Sequence, residues 1–206
     1  MQLTPAQLTA FDEEGYLFLP ECFSDEEVAA LRRDAEAIYR SGREEVWQEK
    51  SGAPRTAFAA HTYNEGFRLL GSHPRLIEPV EQLFGEKLYM HQFKVNAKAA
   101  FDGDVWQWHQ DYGTWARDDG MPEARAMNIA VFLDEVFPFN GALMLVPRSH
   151  KGGTLAAGHD LATTSYPRSR RSWIAAASSS FAPPRAMRSA SRTNRCAESS
   201  VSFAAA

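Results

Sequence analysis

The stretch LYMHQFKVN, residues 88–96, decides the fold class of this chain. Apolar and polar residues alternate along it, which is the period of a β-strand with two different faces. Gln92, Lys94 and Asn96 share one face, and the apolar residues between them share the other. We therefore predict a strand that packs on a hydrophobic core with one face. The other face carries three polar side chains, which either line a site or are simply solvated.

The segments before this strand have the features of helices. Capping boxes at Thr4 and Ser24 predict the starts of two helices. A third helix is predicted over residues 73–84, where Gly85 ends it. Residues 41–60 are polar and interrupted by Gly and Pro, so we expect a loop there.

The segments after residue 96 have the features of short strands. Strands are predicted over residues 105–109, 126–133 and 142–146, with a tight turn at Asn140-Gly141. Helices followed by a run of short antiparallel strands indicate a β-sandwich or barrel with helices packed outside. The expected fold class is therefore mainly β with flanking helices.

Length and charge limit the possible functions. A chain of 206 residues is expected to form one domain. Its net charge of −4 argues against nucleic acid as a partner. We expect no membrane association, since no apolar run is long enough to span a bilayer and the first residues lack a secretory signal. A cytoplasmic location fits these features, and the oligomeric state stays open.

The last 40 residues differ in composition from the rest. Residues 167–206 contain ten Ser, ten Ala and seven Arg, but only one acidic residue. Such a segment buries too little apolar surface to offset the entropy lost on ordering. We predict a low-complexity tail that is disordered or translated out of frame. A natural basic tail is the alternative.

The chemistry is concentrated in the stretch WQWHQDY, residues 106–112. If this stretch is a strand, His109 and Asp111 point to the same side. An imidazole beside a carboxylate supplies two of the three ligands of a 2-His-1-carboxylate triad, which leaves positions on Fe(II) for a 2-oxo acid and O2. A surface His beside a surface Asp is the alternative. The neighbouring aromatic residues either shield a pocket or pack a core.

The wider stretch from residue 91 to residue 151 contains a longer set of motif residues: His91-Gln92, Asn96, Trp108-His109, Asp111, Thr114-Trp115, Asp119-Gly120-Met121-Pro122, Arg125-Ala126, Asn140-Gly141, Leu143-Met144, Pro147 and Ser149-His150-Lys151. In these residues the chain resembles the phytanoyl-CoA dioxygenase superfamily, and specifically its ectoine-hydroxylase-like branch. The resemblance covers about residues 1–166.

The resemblance implies a partial dioxygenase domain over residues 1–166, folded as an incomplete double-stranded β-helix of the jelly-roll or cupin-like type. It implies Fe(II) held by His109 and Asp111, with 2-oxoglutarate and O2 as co-substrates. The implied activity is hydroxylation of a small polar or zwitterionic metabolite.

The resemblance also implies roles for four residues outside the metal pair. Asn96 and Asn128 would bind 2-oxoglutarate. Gln92 and Trp115 would bind the organic substrate, since an amide both donates and accepts hydrogen bonds and an indole stacks on cations.

The chain departs from the superfamily pattern in two respects. Gly113 and Ala116 stand where ectoine hydroxylases carry an acid and a His, which weakens the expectation of ectoine itself as substrate. Relatives also supply a second iron-binding His and a 2-oxoglutarate-binding Arg far downstream. We expect both to be missing here and the chain to be inactive. His150 and His159 are not expected to replace the missing ligand.

Two other functions remain open at this stage. The first is a non-catalytic small-molecule-binding or degenerate cupin-like module, because such folds also bind sugars and small acids without metal. The second is a zinc hydrolase built on the His109–Asp111 pair, which nothing beyond these two residues supports.

Overall fold

The computed structural model describes residues 1–99, 109–137, 140 and 142–153, and the backbone of residues 196–205. Its helices are α1 (Pro5–Glu14), α2 (Asp25–Tyr39), α3 (Glu65–Gly71), α4 (Pro74–Phe84) and α5 (Asp111–Asp118), with short 3₁₀ helices at Ala60–Thr62 and Ser149–Gly152. Its strands are β1 (Val46–Gln48), β2 (Pro54–Phe58), β3 (Leu88–Lys98), β4 (Ala126–Phe132) and β5 (Cys196–Ala205). None of the described helices combines the length and apolar character needed to cross a bilayer.

The strands form one antiparallel sheet in the order β1-β2-β3-β5-β4. Asn96 of β3 lies opposite Thr56 of β2. Ser202 of β5 lies opposite Gln92 of β3 on one side and opposite Asn128 of β4 on the other. Residues directly opposite each other in an antiparallel pair share a face of the sheet. We call the face that carries Thr56, Gln92, Lys94, Asn96 and Asn128 the polar face.

The opposite face of the sheet packs against the helices. Phe93 and Val95 of β3 are 2% and 0% exposed, which confirms the apolar face predicted from the alternating stretch. The rest of this core comes from α2, α3, α4, β2 and β4. Its buried members include Leu31, Ala35, Ile38, Ala57, Phe67, Leu70, Leu76, Val80, Val131 and Leu133.

The predicted helices are present. Thr4 and Ser24 both cap their helices with complete capping boxes, as the sequence predicts. α4 ends at Gly85, which adopts the left-handed conformation with φ of 71°. Pro79 lies buried inside α4 without ending it.

Three local predictions differ from the structure. β1 and β2 lie within residues 41–60, where a loop is predicted, because pairing of β2 with β3 and of β1 with β2 can extend a polar segment that has no strand period of its own. Residues 142–146 form no strand. Asp111 begins α5 instead of continuing a strand from His109. The helix dipole favours an acidic side chain at the first position of a helix. Residues 105–108 of that predicted strand lie outside the described residues.

β5 belongs to the segment predicted to be a disordered or out-of-frame tail. It lies between β3 and β4 and pairs with both. Composition predicts no strand in this segment. β5 differs from that expectation because its backbone pairs with β3 along one edge and with β4 along the other. The predicted boundary at residues 166 and 167 falls outside the described residues and remains a prediction.

An antiparallel sheet with flanking helices agrees with the predicted architecture in outline. The second sheet that a double-stranded β-helix requires is not among the described residues. More of the described residues lie in helices than in strands, so the expected predominance of β-structure does not hold for this part of the chain.

Candidate metal and co-substrate site

His109 and Asp111 lie side by side even though they do not share a strand. His109 lies outside any helix or strand, Gln110 is the N-cap of α5 with an extended backbone, and Asp111 is the first residue of that helix. Nε2 of His109 is 3.2 Å from Oδ1 of Asp111, and the two side chains are 13% and 23% exposed. Two neighbouring ligands of an octahedral metal, each about 2.1 Å from it, lie roughly 3.0 Å apart. The pair therefore fits two adjacent positions on a metal ion.

The Asp111 carboxylate is held in its ionised form. Burial acts to raise its pKa, but the hydrogen bond and charge of His109, the charge of Lys94 and the Asn128 hydrogen bond outweigh burial and leave the pKa lowered. Asn128 Nδ2 donates to Asp111 Oδ2 over 2.5 Å. A carboxylate that is charged and oriented at neutral pH is the form that binds a metal ion.

Asn96, predicted to bind 2-oxoglutarate, is fixed on the polar face by a neighbouring strand. Its Oδ1 accepts a hydrogen bond from Thr56 Oγ1 at 3.0 Å, and the two residues are 6% and 3% exposed. The sequence does not point to Thr56, because this contact joins residues 40 positions apart through a strand that was predicted to be a loop.

We expect Thr56→Val to lower the free energy of unfolding by about 1–2 kcal/mol, because the buried Asn96 oxygen loses a donor without a change in side-chain volume. Urea denaturation measures this change. Thr62→Val is the control, since Thr62 is exposed in a 3₁₀ helix. Equal effects of the two substitutions would show that the Thr56–Asn96 contact contributes nothing specific.

Gln92, predicted to bind substrate, carries a buried oxygen that has no hydrogen-bond partner among the described residues. No hydrogen bond from the described part of the chain reaches its Oε1. A buried polar atom without a partner costs free energy, and native proteins keep such atoms rarely. The Oε1 atom is therefore available to accept a hydrogen bond from a ligand on the polar face.

Trp115, the other predicted substrate residue, packs inside the protein. It is 5% exposed and lies in a small cluster with Met121. The His91 ring meets the indole edge-on with centroids 5.0 Å apart, and His91 Nε2 lies 3.1 Å from Asp119 Oδ2. These contacts attach α5 to β3 and so position Asp111. The substrate role of Trp115 remains a prediction.

Of the two histidines considered as a replacement iron ligand, His150 lies against α1. Its Nε2 is 2.9 Å from the carbonyl oxygen of Asp12, and its ring occupies the space where a Cβ on Gly15 would project. His159 lies outside the described residues. Within the described ranges, no cluster of three His, Cys, Asp or Glu side chains could hold a metal ion.

Comparison with known proteins identifies the family. Residues 11–185 match the family model described as phytanoyl-CoA dioxygenase (PhyH). The chain belongs to this family. The matched range extends past residue 166, where composition predicts that the domain breaks off.

The relatives of this PhyH-family chain include named hydroxylases. It is 42% identical over 144 residues to L-proline trans-4-hydroxylase of Streptomyces griseoviridis, covering 69% of this chain and 54% of that protein. It is 39% identical over 154 residues to ectoine dioxygenase of Bordetella bronchiseptica, covering 72% and 50%. The chain thus spans about half the length of these curated relatives.

Solved structures share its fold. The crystal structure of EctD from S. alaskensis with bound Fe superposes with a TM-score of 0.76 at 25% identity, covering 98% of this chain and 77% of that chain. The same protein has also been solved with 2-oxoglutarate and 5-hydroxyectoine, and that structure matches with a TM-score of 0.74 at 24% identity over 98% and 76% of the two chains.

Proposed function

We propose that this protein is an Fe(II)/2-oxoglutarate-dependent dioxygenase that hydroxylates a small polar or zwitterionic metabolite. The observation that carries the proposal is the His109–Asp111 pair, whose ligand atoms lie at the separation of neighbouring metal ligands. Membership of the PhyH family and the Fe-bound EctD structure support it. The described sheet would then be one part of a double-stranded β-helix.

Three residues of the polar face have a role in this proposal beside the His109–Asp111 pair. His109 and Asp111 bind the iron, and Asn128 fixes the Asp111 carboxylate. Asn96, oriented by Thr56, offers its amide to 2-oxoglutarate. The bound iron, with 2-oxoglutarate and O2, supplies the oxidising power for hydroxylation. The protein orients the reactants and excludes water.

We further propose that the chain of 206 residues turns over slowly or not at all. His150 is engaged with α1, and residues 160–206 contain no His. With two protein ligands, iron and 2-oxoglutarate would bind weakly.

Anaerobic titration with Fe(II) and then 2-oxoglutarate tests the proposed function. The charge-transfer absorption of a 2-oxo acid on Fe(II) reports binding, and succinate formation reports turnover. Weak binding with little succinate is expected. Rapid succinate formation would contradict the proposed inactivity. Absence of any Fe(II) binding would favour the non-catalytic module, and hydrolysis insensitive to N-oxalylglycine would favour the zinc hydrolase.

Asn128→Ala is expected to weaken Fe(II) binding about 10-fold, because a metal-binding carboxylate loses the hydrogen bond that orients it. Anaerobic calorimetry measures the change. Asn140→Ala is the control, since the Asn140 side chain bonds Glu135 and Phe137. Unchanged affinity in Asn128→Ala would mean that iron does not depend on the Asn128–Asp111 contact.

A further inference from the structure

Residues 148–153, which we call the anchor segment, contain a strained backbone position. The segment includes the 3₁₀ helix Ser149–Gly152, which is preceded by Arg148 with φ of 66° and followed by Gly153 with φ of 72°. A non-glycine residue at positive φ is uncommon and persists where surrounding contacts hold it in place. The contacts of the anchor segment therefore show what this conformation serves.

One end of the anchor segment completes the last turn of α1. The final carbonyl groups of a helix have no partners within the helix itself. The Arg148 N–H donates to the Glu14 carbonyl at 2.8 Å. Nε2 of His150 donates to the Asp12 carbonyl at 2.9 Å, since a carbonyl oxygen can only accept. Arg148 also pairs with the Glu14 carboxylate, and a cation is favoured at the C-terminus of a helix, where α1 has no basic residue of its own.

Gly15 allows the anchor segment to approach α1 closely. It ends α1 in the left-handed conformation with φ of 82°, and a Cβ at this position would lie 2.2 Å from Nδ1 of His150. Gly85 ends α4 in the same conformation with φ of 71°, but open space surrounds the position of its Cβ. The two glycines therefore meet the same backbone requirement, and of the two Gly15 alone also makes room for the anchor segment.

The other end of the anchor segment contacts the residue between the two proposed metal ligands. The Gly153 carbonyl accepts a hydrogen bond from Nε2 of Gln110 at 3.0 Å. Gln110 is the N-cap of α5, but its side chain makes no capping hydrogen bond to that helix, and glutamine is not among the preferred N-cap residues. Helix capping therefore does not account for Gln110. Its bond to Gly153 fixes the point at which the chain turns into α5.

We propose that Gln110 is a positioning residue through which the anchor segment ties the His109–Asp111 pair to α1. Because Gln110 joins His109 to Asp111 in the chain, rotation of its backbone changes the 3.2 Å separation of their ligand atoms. A hydrogen bond from its side chain to a segment that is held elsewhere restrains this rotation. Groups that orient metal ligands in this way contribute to metal affinity. The assignment rests on the proposed dioxygenase function for the identity of the metal pair.

The experiment uses the full chain. Anaerobic calorimetry measures the Fe(II) affinity, and the visible absorption of the Co(II)-loaded chain reports the geometry of the metal ligands. Gln110→Met keeps the length of the side chain but removes the donor, so it should weaken Fe(II) binding about 10-fold and alter the Co(II) spectrum. Gly15→Ala should change both readouts in the same direction, because it displaces His150 and loosens the anchor segment. Gly85→Ala is the matched control, since it imposes the same backbone strain and should change neither readout.

The double variant that combines Gln110→Met with Gly15→Ala is the decisive comparison. Once the bond to Gly153 is lost, loosening of the anchor segment no longer reaches the metal pair. The Fe(II) affinity of the double variant should therefore match that of Gln110→Met within about 2-fold, whereas independent effects would add. If Gly15→Ala does not fold, His150→Phe takes its place with the same expectation, because it keeps a ring but loses the Nε2 donor.

Additive losses in the double variant would overturn the proposal. Equal effects of Gly15→Ala and Gly85→Ala, or unchanged Fe(II) affinity in Gln110→Met, would also overturn it. A wild-type chain that binds neither Fe(II) nor Co(II) would refute the dioxygenase proposal, and urea denaturation of the same variants would then test the tie to α1. Non-additive losses in the free energy of unfolding would support that tie, and additive losses would refute it as well.

Discussion

Asp111→Asn is expected to weaken Fe(II) binding by more than about 100-fold. The substitution keeps the size of the side chain but replaces a charged ligand by a neutral amide. Loss of a residue that merely orients a ligand already costs roughly 10- to 100-fold in metal affinity, so loss of the ligand itself should cost more. Anaerobic calorimetry with Fe(II) gives the affinity directly, without any need for catalytic turnover.

Asp118→Asn is the matched control for this prediction. Asp118 is the last residue of α5, whereas Asp111 is the first, and the Asp118 carboxylate is exposed and paired with Arg117. Its substitution should leave the Fe(II) affinity unchanged. If Asp111→Asn and Asp118→Asn bind Fe(II) as well as the wild type does, the metal lies elsewhere and the proposed function fails.

The closeness of the His109 and Asp111 side chains could be predicted from the sequence, but both residues were expected on one strand and Asp111 lies on a helix instead. The i, i+2 argument places His109 and Asp111 side by side on one strand. The structure also places them side by side, because the backbone is extended at Gln110 and turns into α5 at Asp111. A helix of eight residues that begins directly behind an apparent strand has too little periodicity of its own to be detected locally.

The features that were not predicted from the sequence depend on contacts between segments that are far apart in the chain. The alternating stretch around residue 92 predicts which side chains share a face, because that information is local. The Thr56–Asn96 bond and the pairing of β5 with β3 depend on register between segments far apart in the chain. Composition detects the unusual segment after residue 166, but it does not show whether a neighbouring strand pairs with part of it. Pairing of that kind can extend a segment that has no hydrophobic pattern of its own.

The polar face depends on the core behind it. Phe67 of α3 is 0% exposed, and its ring meets the Phe93 ring edge-on with centroids 6.0 Å apart. Phe93 lies on β3 between Gln92 and Lys94 and points to the opposite side. The packing of α3 against this strand thus supports the backbone that presents both polar side chains.

Phe67→Ala is expected to lower the free energy of unfolding by about 3–5 kcal/mol, because it removes a fully buried ring and leaves a cavity that the core fills only in part. Such a loss is a large fraction of the roughly 5–15 kcal/mol that stabilises a typical domain. Urea denaturation measures it. Leu69→Ala in the same helix is the control, since Leu69 is 52% exposed and its loss should change stability by no more than about 0.5 kcal/mol. Equal destabilisation by the two substitutions would show that α3 does not pack on β3 through Phe67, and the support inferred for the polar face would then be wrong.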